Sequence, residues 1–299
     1  MKNRRLLGNI ILIVTAAIWG TAFAFQRMGM DRIQPITFNA ARMVLGTAVV
    51  SPLAFFVKRD IDVEKAEYDR NTLKGGLLCG FFLAVASILQ QIGLVYTSAG
   101  KTGFITAMYM LLVPVFSLIL FRKKSPFLVW FAVAMGLVGM YLLCMTEGFS
   151  LGRGDPFVMG CAVCYSFHII FCGRYAEHGN PIGISAIQFA VAAVISTAVA
   201  FIAEQPTWDK IVDAAIPILY CGIVSGGIGF TLQVVAQKFT EPSVASILMS
   251  LESVFSVIAG TFILKERMSL REALGCIVMF AAVVLVQLPK ESKGGNSDT

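Results

Sequence analysis

Long apolar blocks alternate with short polar breaks along this chain. Gly103 to Phe121 is typical: nineteen residues without a charge, followed at once by Arg122, Lys123 and Lys124. At 1.5 Å rise per residue such a block makes about 29 Å of helix, close to one hydrocarbon core. Ten such blocks predict ten spans, at 6–26, 35–57, 75–96, 102–121, 126–145, 156–173, 181–203, 213–236, 242–264 and 270–288. They lack the in–out alternation of a membrane β-barrel. The first block has the look of a signal peptide, but no small-residue cleavage site leads from it into a soluble domain, and it is read as a retained span. Connections are short. The longest, 58–74, is highly charged (KRDIDVEKAEYDRNTLK) and predicts a small surface helix or loop. The tail after Pro289 reads as disordered.

Composition agrees with the pattern. Hydrophobic residues make up 57% and charged residues 14%, and the mean hydropathy is +0.77. A soluble domain carries roughly a quarter charged residues. The expected fold class is therefore all-α integral membrane protein, with the lipid bilayer as its main partner. The net charge of +6 does not point to nucleic acid, because the lysines and arginines flank spans, where they set orientation. With the N-terminus in the cytoplasm, fifteen Lys/Arg fall inside and eight outside, leaving Arg42 within a span. This favours both termini inside. The main exception is the outside cluster Lys265, Glu266 and Arg267. All seven cysteines (79, 144, 161, 164, 172, 221, 276) lie in apolar blocks, so no extramembrane disulfide is expected.

The chain also repeats itself. An offset of 146 places Trp19 on Tyr165, Pro35 on Pro181 and Arg42 on Gln188; an offset of 143 places Gln90 on Gln233. Near the fourth and ninth spans LVPVFS matches SLESVFS, in which Pro114 falls on Ser253, at an offset of 139. Two five-span halves are expected, at 1–147 and 154–289, with a cytoplasmic tail at 290–299. Five is odd, so the second half enters the membrane inverted. Inverted repeats are a carrier architecture, with the substrate site near the midplane between the halves. Chance matches between apolar helices are the bland alternative, which several matches in the same order weaken.

These residues resemble the drug/metabolite transporter superfamily, EamA-type. The first span has Trp19-Gly20-Thr21, and the second has Pro35 followed by Ala41-Arg42-Met43. The third and fourth carry GLVYTSAGKTGFITA and LVPVF, and the ninth carries Ser250-Leu251-Glu252-Ser253-Val254-Phe255 with Leu264-Lys265-Glu266-Arg267 after it. The family's usual proline and glycine are replaced by Ser253 and Lys265, which implies a straighter ninth helix. The resemblance covers essentially the whole chain. It implies a ten-helix secondary carrier of the cell membrane, working without a cofactor, moving small metabolites or amino acids and often exporting them.

Polar groups inside spans are the candidates for chemistry, since a mid-membrane charge costs several kcal/mol and has a reason to be there. Arg42 could bind a substrate carboxylate or snorkel to the interface. Glu252 could carry protons or form a structural hydrogen bond. His168 could relay protons or simply pack. Cys161, Cys164 and His168 share a helix face, but no second Cys/His pair completes a zinc set, and no metal is expected. Gln90, Gln188 and Gln233 offer neutral hydrogen bonds to a polar substrate or between helices. Trp19, Tyr109 and Tyr165 could line an aromatic cavity or face lipid. Pro114 breaks a helical hydrogen bond, and Gly226 and Gly227 allow close helix approach or a flexible gate, so these three are candidate hinges. A membrane enzyme would need clustered acids or histidines at a membrane face, and no Asp-x-x-Asp pair is present in the loops. A passive channel or a sensor is the other rival. A monomer or homodimer fits the pattern equally.

Overall fold

The computed structural model describes residues 2–56, 65–97, 99–144, 152–263 and 268–287. Every regular element among them is a helix. In chain order these are α1 (Lys2–Met30), α2 (Pro35–Phe56), α3 (Lys65–Tyr96), α4 (Ala99–Thr106), α5 (Tyr109–Phe121), α6 (Phe127–Cys144), α7 (Asp155–Ala176), α8 (Pro181–Ala203), α9 (Trp208–Asp213) and α10 (Ala215–Leu219). A π-helical segment (Tyr220–Phe230) then leads into α11 (Thr231–Gln237), α12 (Pro242–Met249), α13 (Glu252–Ile263) and α14 (Leu270–Gln287). Nine stretches of the described residues are long and apolar enough to cross a membrane, and Phe127–Leu143 is a shorter tenth. Large apolar side chains cover the outside of the bundle, with Ile202 85% exposed and Val194 and Ile216 each 70% exposed. A bilayer is the solvent that suits such a surface.

Proline places several helix starts. Pro181 and Pro242 each occupy the first turn, where their missing N–H is no loss. Asn180 caps α8, its Oδ1 accepting the Ile182 and Gly183 N–H groups at 3.0 Å each. The matching end of α2 is capped from the other half: the Glu204 carboxylate accepts the N–H groups of Ile36 (3.0 Å) and Thr37 (2.7 Å) and the Thr37 hydroxyl (2.8 Å).

Helix starts give the repeat register. Helices α2 and α8 begin at 35 and 181, an offset of 146; α4 and α12 begin at 99 and 242, α5 and α13 at 109 and 252, and α6 and α14 at 127 and 270, an offset of 143 each time. The offset of 139 suggested by the Val-Phe-Ser match is thereby replaced by 143. Tyr109, not Val113, is the counterpart of Glu252. The two halves are also interlaced. Helix α3 packs on α7 and α8, α2 on α8, α6 on α14, and α1 on α13 and on the π segment. Each of these contacts joins one half to the other.

The fourth and ninth spans are both broken. Between α4 and α5 the chain passes through Ala107 and Met108, where Met110 N–H bonds to Ala107 O and Leu111 N–H to Met108 O, both at 3.0 Å. Between α12 and α13 it passes through Ser250 and Leu251. The straighter ninth helix expected from Ser253 is therefore not found. The first break also precedes Pro114, which lies inside α5. Since the second repeat breaks at the equivalent place without a proline, proline is not what sets the interruption. Residues 65–74 of the charged connection form the start of α3, and α9 is a further short surface helix. The rest of that connection, the Lys265-Glu266-Arg267 cluster and the tail lie outside the described residues.

Candidate functional site

A small cavity of about 50 Å³ lies where the halves meet. Trp19, Arg42, Gln90, Tyr109, Tyr165, His168, Gln233 and Glu252 all line it, together with Ala22, Phe23, Gln26, Thr106, Ile169, Ser225 and Phe230. Ten of these fifteen residues form five repeat-related pairs: Trp19/Tyr165, Ala22/His168 and Phe23/Ile169 at 146, and Gln90/Gln233 and Tyr109/Glu252 at 143. A cavity so lined draws on equivalent positions of the two repeats. Gln188, the counterpart of Arg42, stands behind the wall, its Oε1 3.0 Å from His168 Nε2.

Each polar group is held in place. The Tyr109 hydroxyl donates to Glu252 Oε1 at 3.3 Å, a bond between repeat counterparts that each begin a helix after a break. Arg42 is 6% exposed and does not reach an interface. Its Nε donates to Asn39 Oδ1 at 2.9 Å, and Asn39 is anchored by donating to Ser87 (3.1 Å) and Ser196 (2.9 Å). No ion pair joins Arg42 to Glu252 among the described residues. Gln90 donates to Thr106 Oγ1 at 3.3 Å. The Trp19 indole donates to the Ser225 carbonyl at 3.1 Å and its ring lies 4.6 Å from that of Phe230. That carbonyl belongs to the π segment, which also contains Gly226 and Gly227. At Gly229 a Cβ would lie 2.8 Å from Trp19 Nε1, so only glycine lets the indole approach there. Widened turns of this kind concentrate at functional sites.

Different contacts lie on the two sides of the cavity. On the side of the N-terminus, Gln233 donates to Gln237 Oε1 at 3.0 Å, and Gln237 donates to the Ile169 carbonyl at 2.9 Å. Beyond Gln237 opens a vestibule of about 550 Å³. Arg4, Arg5, Lys123, Lys124, Arg174 and Lys238 line it, against only Glu177 and Glu241. On the opposite side, Lys101 Nζ pairs with Asp155 at 2.6 Å, and Asp155 also accepts the Gly152 N–H at 2.8 Å. This pair fastens α4 of the first half to α7 of the second.

The cysteines assemble otherwise than their spacing suggests. Cys161 and Cys164 do not join His168; instead Cys79 from α3 meets His168 and Cys172 from α7. The i, i+4 spacing of His168 and Cys172 was visible in the sequence, but Cys79 lies in another span and only the packing of α3 on α7 brings it near. Thr106, Ser225 and Phe230 are further lining residues that carried no sequence signal beyond their position near a break or a glycine cluster.

A helical bundle of two repeats around a cavity lined by aromatic and polar side chains is the architecture of inverted-repeat membrane transporters. The chain belongs to the EamA-like transporter family, whose pattern matches twice, at 6–145 and 152–288. An uncharacterized transporter of Archaeoglobus fulgidus is 25% identical over 290 residues, covering 95% of this chain and 87% of that protein. The uncharacterized transporter YwfM of Bacillus subtilis is 20% identical over 297 residues, covering 95% of each chain. A solved crystal structure, 18% identical, superposes with a TM-score of 0.74 over 94% of this chain and 97% of its own, and shares the fold.

Proposed function

We propose that this protein is a secondary transporter that moves a small zwitterionic metabolite, an amino acid or close relative, across the cell membrane by alternating access. One observation carries the reading. Arg42 and Glu252 are both buried in one cavity yet are not paired with each other. Buried charges are costly unless partnered, so a site that keeps two apart suits a ligand that supplies both partners. A carboxylate would meet Arg42 and an ammonium would meet Glu252. Trp19, Tyr109 and Tyr165 supply aromatic walls, and the buried Gln233 Oε1, without a partner among the described residues, supplies an acceptor.

The two halves, 1–147 and 154–289, supply the two sides of the cavity, and the interrupted spans within them take up the motion. Both termini face the cytoplasm, where the basic vestibule collects substrate, and the direction is outward. Pivots are the breaks after Thr106 and Met249, Pro114, and the π segment with Gly226 and Gly227. Glu252 is the proton-coupling group ahead of His168, because it faces the cavity while His168 is bound to Gln188. No catalytic role is assigned to any residue. The working unit is a monomer or a homodimer.

Counterflow in proteoliposomes tests the proposal. Vesicles are loaded with unlabelled amino acids and related metabolites, and uptake of labelled members is followed. Saturable, trans-stimulated uptake of zwitterionic members is expected. Conduction without saturation would replace the carrier with a channel. Exchange confined to uncharged members would remove Arg42 and Glu252 from substrate binding.

A further inference from the structure

Cys79, His168 and Cys172 are fully buried, and one ligand atom from each lies within 4.8 Å of the others. Cys172 Sγ is 3.4 Å from Cys79 Sγ and 3.5 Å from His168 Nε2. Tetrahedral zinc, with bonds of about 2.3 Å to sulfur and 2.0–2.1 Å to nitrogen, places sulfurs roughly 3.8 Å apart and a sulfur–nitrogen pair roughly 3.5 Å apart. The two separations from Cys172 need adjustment by only a few tenths of an ångström, and the Cys79 to His168 separation is within 4.8 Å. A second observation points the same way. Gln188 Oε1 is 3.0 Å from the same His168 nitrogen, while its buried Nε2 has no partner among the described residues. The Gln188 oxygen thus sits beside the cluster, where it can supply a fourth ligand once a metal replaces its hydrogen bond to His168.

We infer that Cys79, His168 and Cys172 form a binding site for one thiophilic divalent d10 cation of the zinc and cadmium class. The charge balance selects the ion. Two thiolates cancel a 2+ charge, and a neutral imidazole and amide oxygen add none, so the occupied site is neutral in a low-dielectric interior. A monovalent ion would leave a buried net charge. Hard ions such as Mg²⁺ and Ca²⁺ require oxygen ligands. On binding, each thiol loses its proton: one M²⁺ enters, two M–S bonds form, and two protons leave to solvent. His168 lines the central cavity and so gives the ion its route in. Because Cys79 lies on α3 and Cys172 on α7, a bound ion ties the first half to the second.

Cadmium titration of the purified full chain in detergent tests this, by sulfur-to-metal ultraviolet absorption, stoichiometry and thermal stability. One ion per chain with two thiolates bound is expected, with a raised melting temperature. Cys79→Ser and Cys172→Ser should each weaken binding by about tenfold or more. A protein with Cys144, Cys161, Cys164, Cys221 and Cys276 all changed to serine should bind as the unaltered chain does. That five-serine protein keeps the test decisive even where a Cys79 or Cys172 variant fails to fold. The inference is overturned if the five-serine protein loses the absorption, if a folded Cys79→Ser or Cys172→Ser protein keeps its affinity, or if millimolar cadmium gives no thiolate band. None of these readouts depends on transport, so failure here is distinct from failure of the carrier reading.

Discussion

Gly20 lies where α1 crosses α13, directly against the helix that begins with Glu252. A Cβ there would stand 2.6 Å from the Glu252 carbonyl oxygen, 2.6 Å from Phe255 Cβ and 2.8 Å from the Ser256 nitrogen. Two of the three are backbone atoms, so no rotamer change relieves the clash. Ordinary carbon contacts are about 3.5–4.0 Å, so Gly20→Ala must part the helices by roughly 0.9 Å. Overpacking of this kind costs about 1–3 kcal/mol. The alanine returns about 0.5–1 kcal/mol of helix preference, leaving a net loss of about 1–2 kcal/mol. Gly103→Ala is the control, because its Cβ would meet only Ser253 Oγ, at 3.9 Å. It receives the same helix preference without the clash, and should be neutral or more stable by up to about 1 kcal/mol. The Tyr109–Glu252 bond, already 3.3 Å long, would not survive the shift. Gly20→Ala should therefore lower both the melting temperature in detergent and counterflow, the latter about tenfold, while Gly103→Ala leaves both near the unaltered values. Equal stability and exchange in the two variants would refute the close α1–α13 approach.

Further outcomes follow from other contacts. Glu252→Gln keeps an oxygen for the Tyr109 hydroxyl but removes the ionisable group, so uptake driven by a pH gradient should fall to its gradient-free level; equal rates with and without a gradient, in both proteins, would end the coupling role. Glu204→Ala uncaps α2 by removing three hydrogen bonds, and should cost about 1–2 kcal/mol, read as a lower melting temperature with the cavity otherwise intact. Asp155→Asn leaves the Lys101 ammonium facing a neutral amide and should cost about 2–3 kcal/mol of the closed arrangement on that side. The check is thiol labelling of Thr97→Cys in a cysteine-free background, which should accelerate severalfold; an unchanged rate would mean the ion pair does not hold that side shut.

Span count and class were legible because lipid imposes a simple rule on composition, and every apolar block duly became helix. The repeat was legible at Trp19/Tyr165, Pro35/Pro181 and Gln90/Gln233, where residue identity or aromatic character survives in both halves. It was misread at the ninth span, because Val-Phe-Ser recurs there four residues out of register with the helix break. Letters can drift along a helix while a break cannot, since packing fixes its depth. Tyr109 and Glu252 share no chemistry that would align them, yet they occupy equivalent positions. Ionisable and aromatic residues within spans stood out in the sequence because the bilayer tolerates few of them, and the structure gathers most of these around one cavity. What could not be read was which of them touch. The separation of Arg42 from Glu252, the retreat of Gln188 behind His168 and the arrival of Cys79 beside Cys172 all depend on contacts between the halves.

That interlacing bears on how the halves could move. Since α1 packs on α13 and the π segment, and α7 on α3 and α5, neither half has a core that can swing free of the other. On the proposed mechanism motion would be taken up within spans, and the interrupted ones are the fourth, eighth and ninth. All three contribute to the cavity: Thr106 and Tyr109 flank one break, Glu252 follows another, and Ser225 and Phe230 belong to the π segment. The residues best placed to contact a substrate are thus those whose backbone departs from α-helix. A ligand drawing Arg42 and Glu252 toward itself would act on α13 at its first residue, next to the break, where a small displacement needs the fewest hydrogen bonds to yield. The barriers differ accordingly. Toward the vestibule one neutral bond, Gln237 to the Ile169 carbonyl, joins α11 to α7, whereas the far side carries the Lys101–Asp155 ion pair. A neutral side-chain bond between helices contributes about 0.5–2 kcal/mol and a buried ion pair more to break, so on the proposed mechanism the cavity would open more readily toward the basic vestibule.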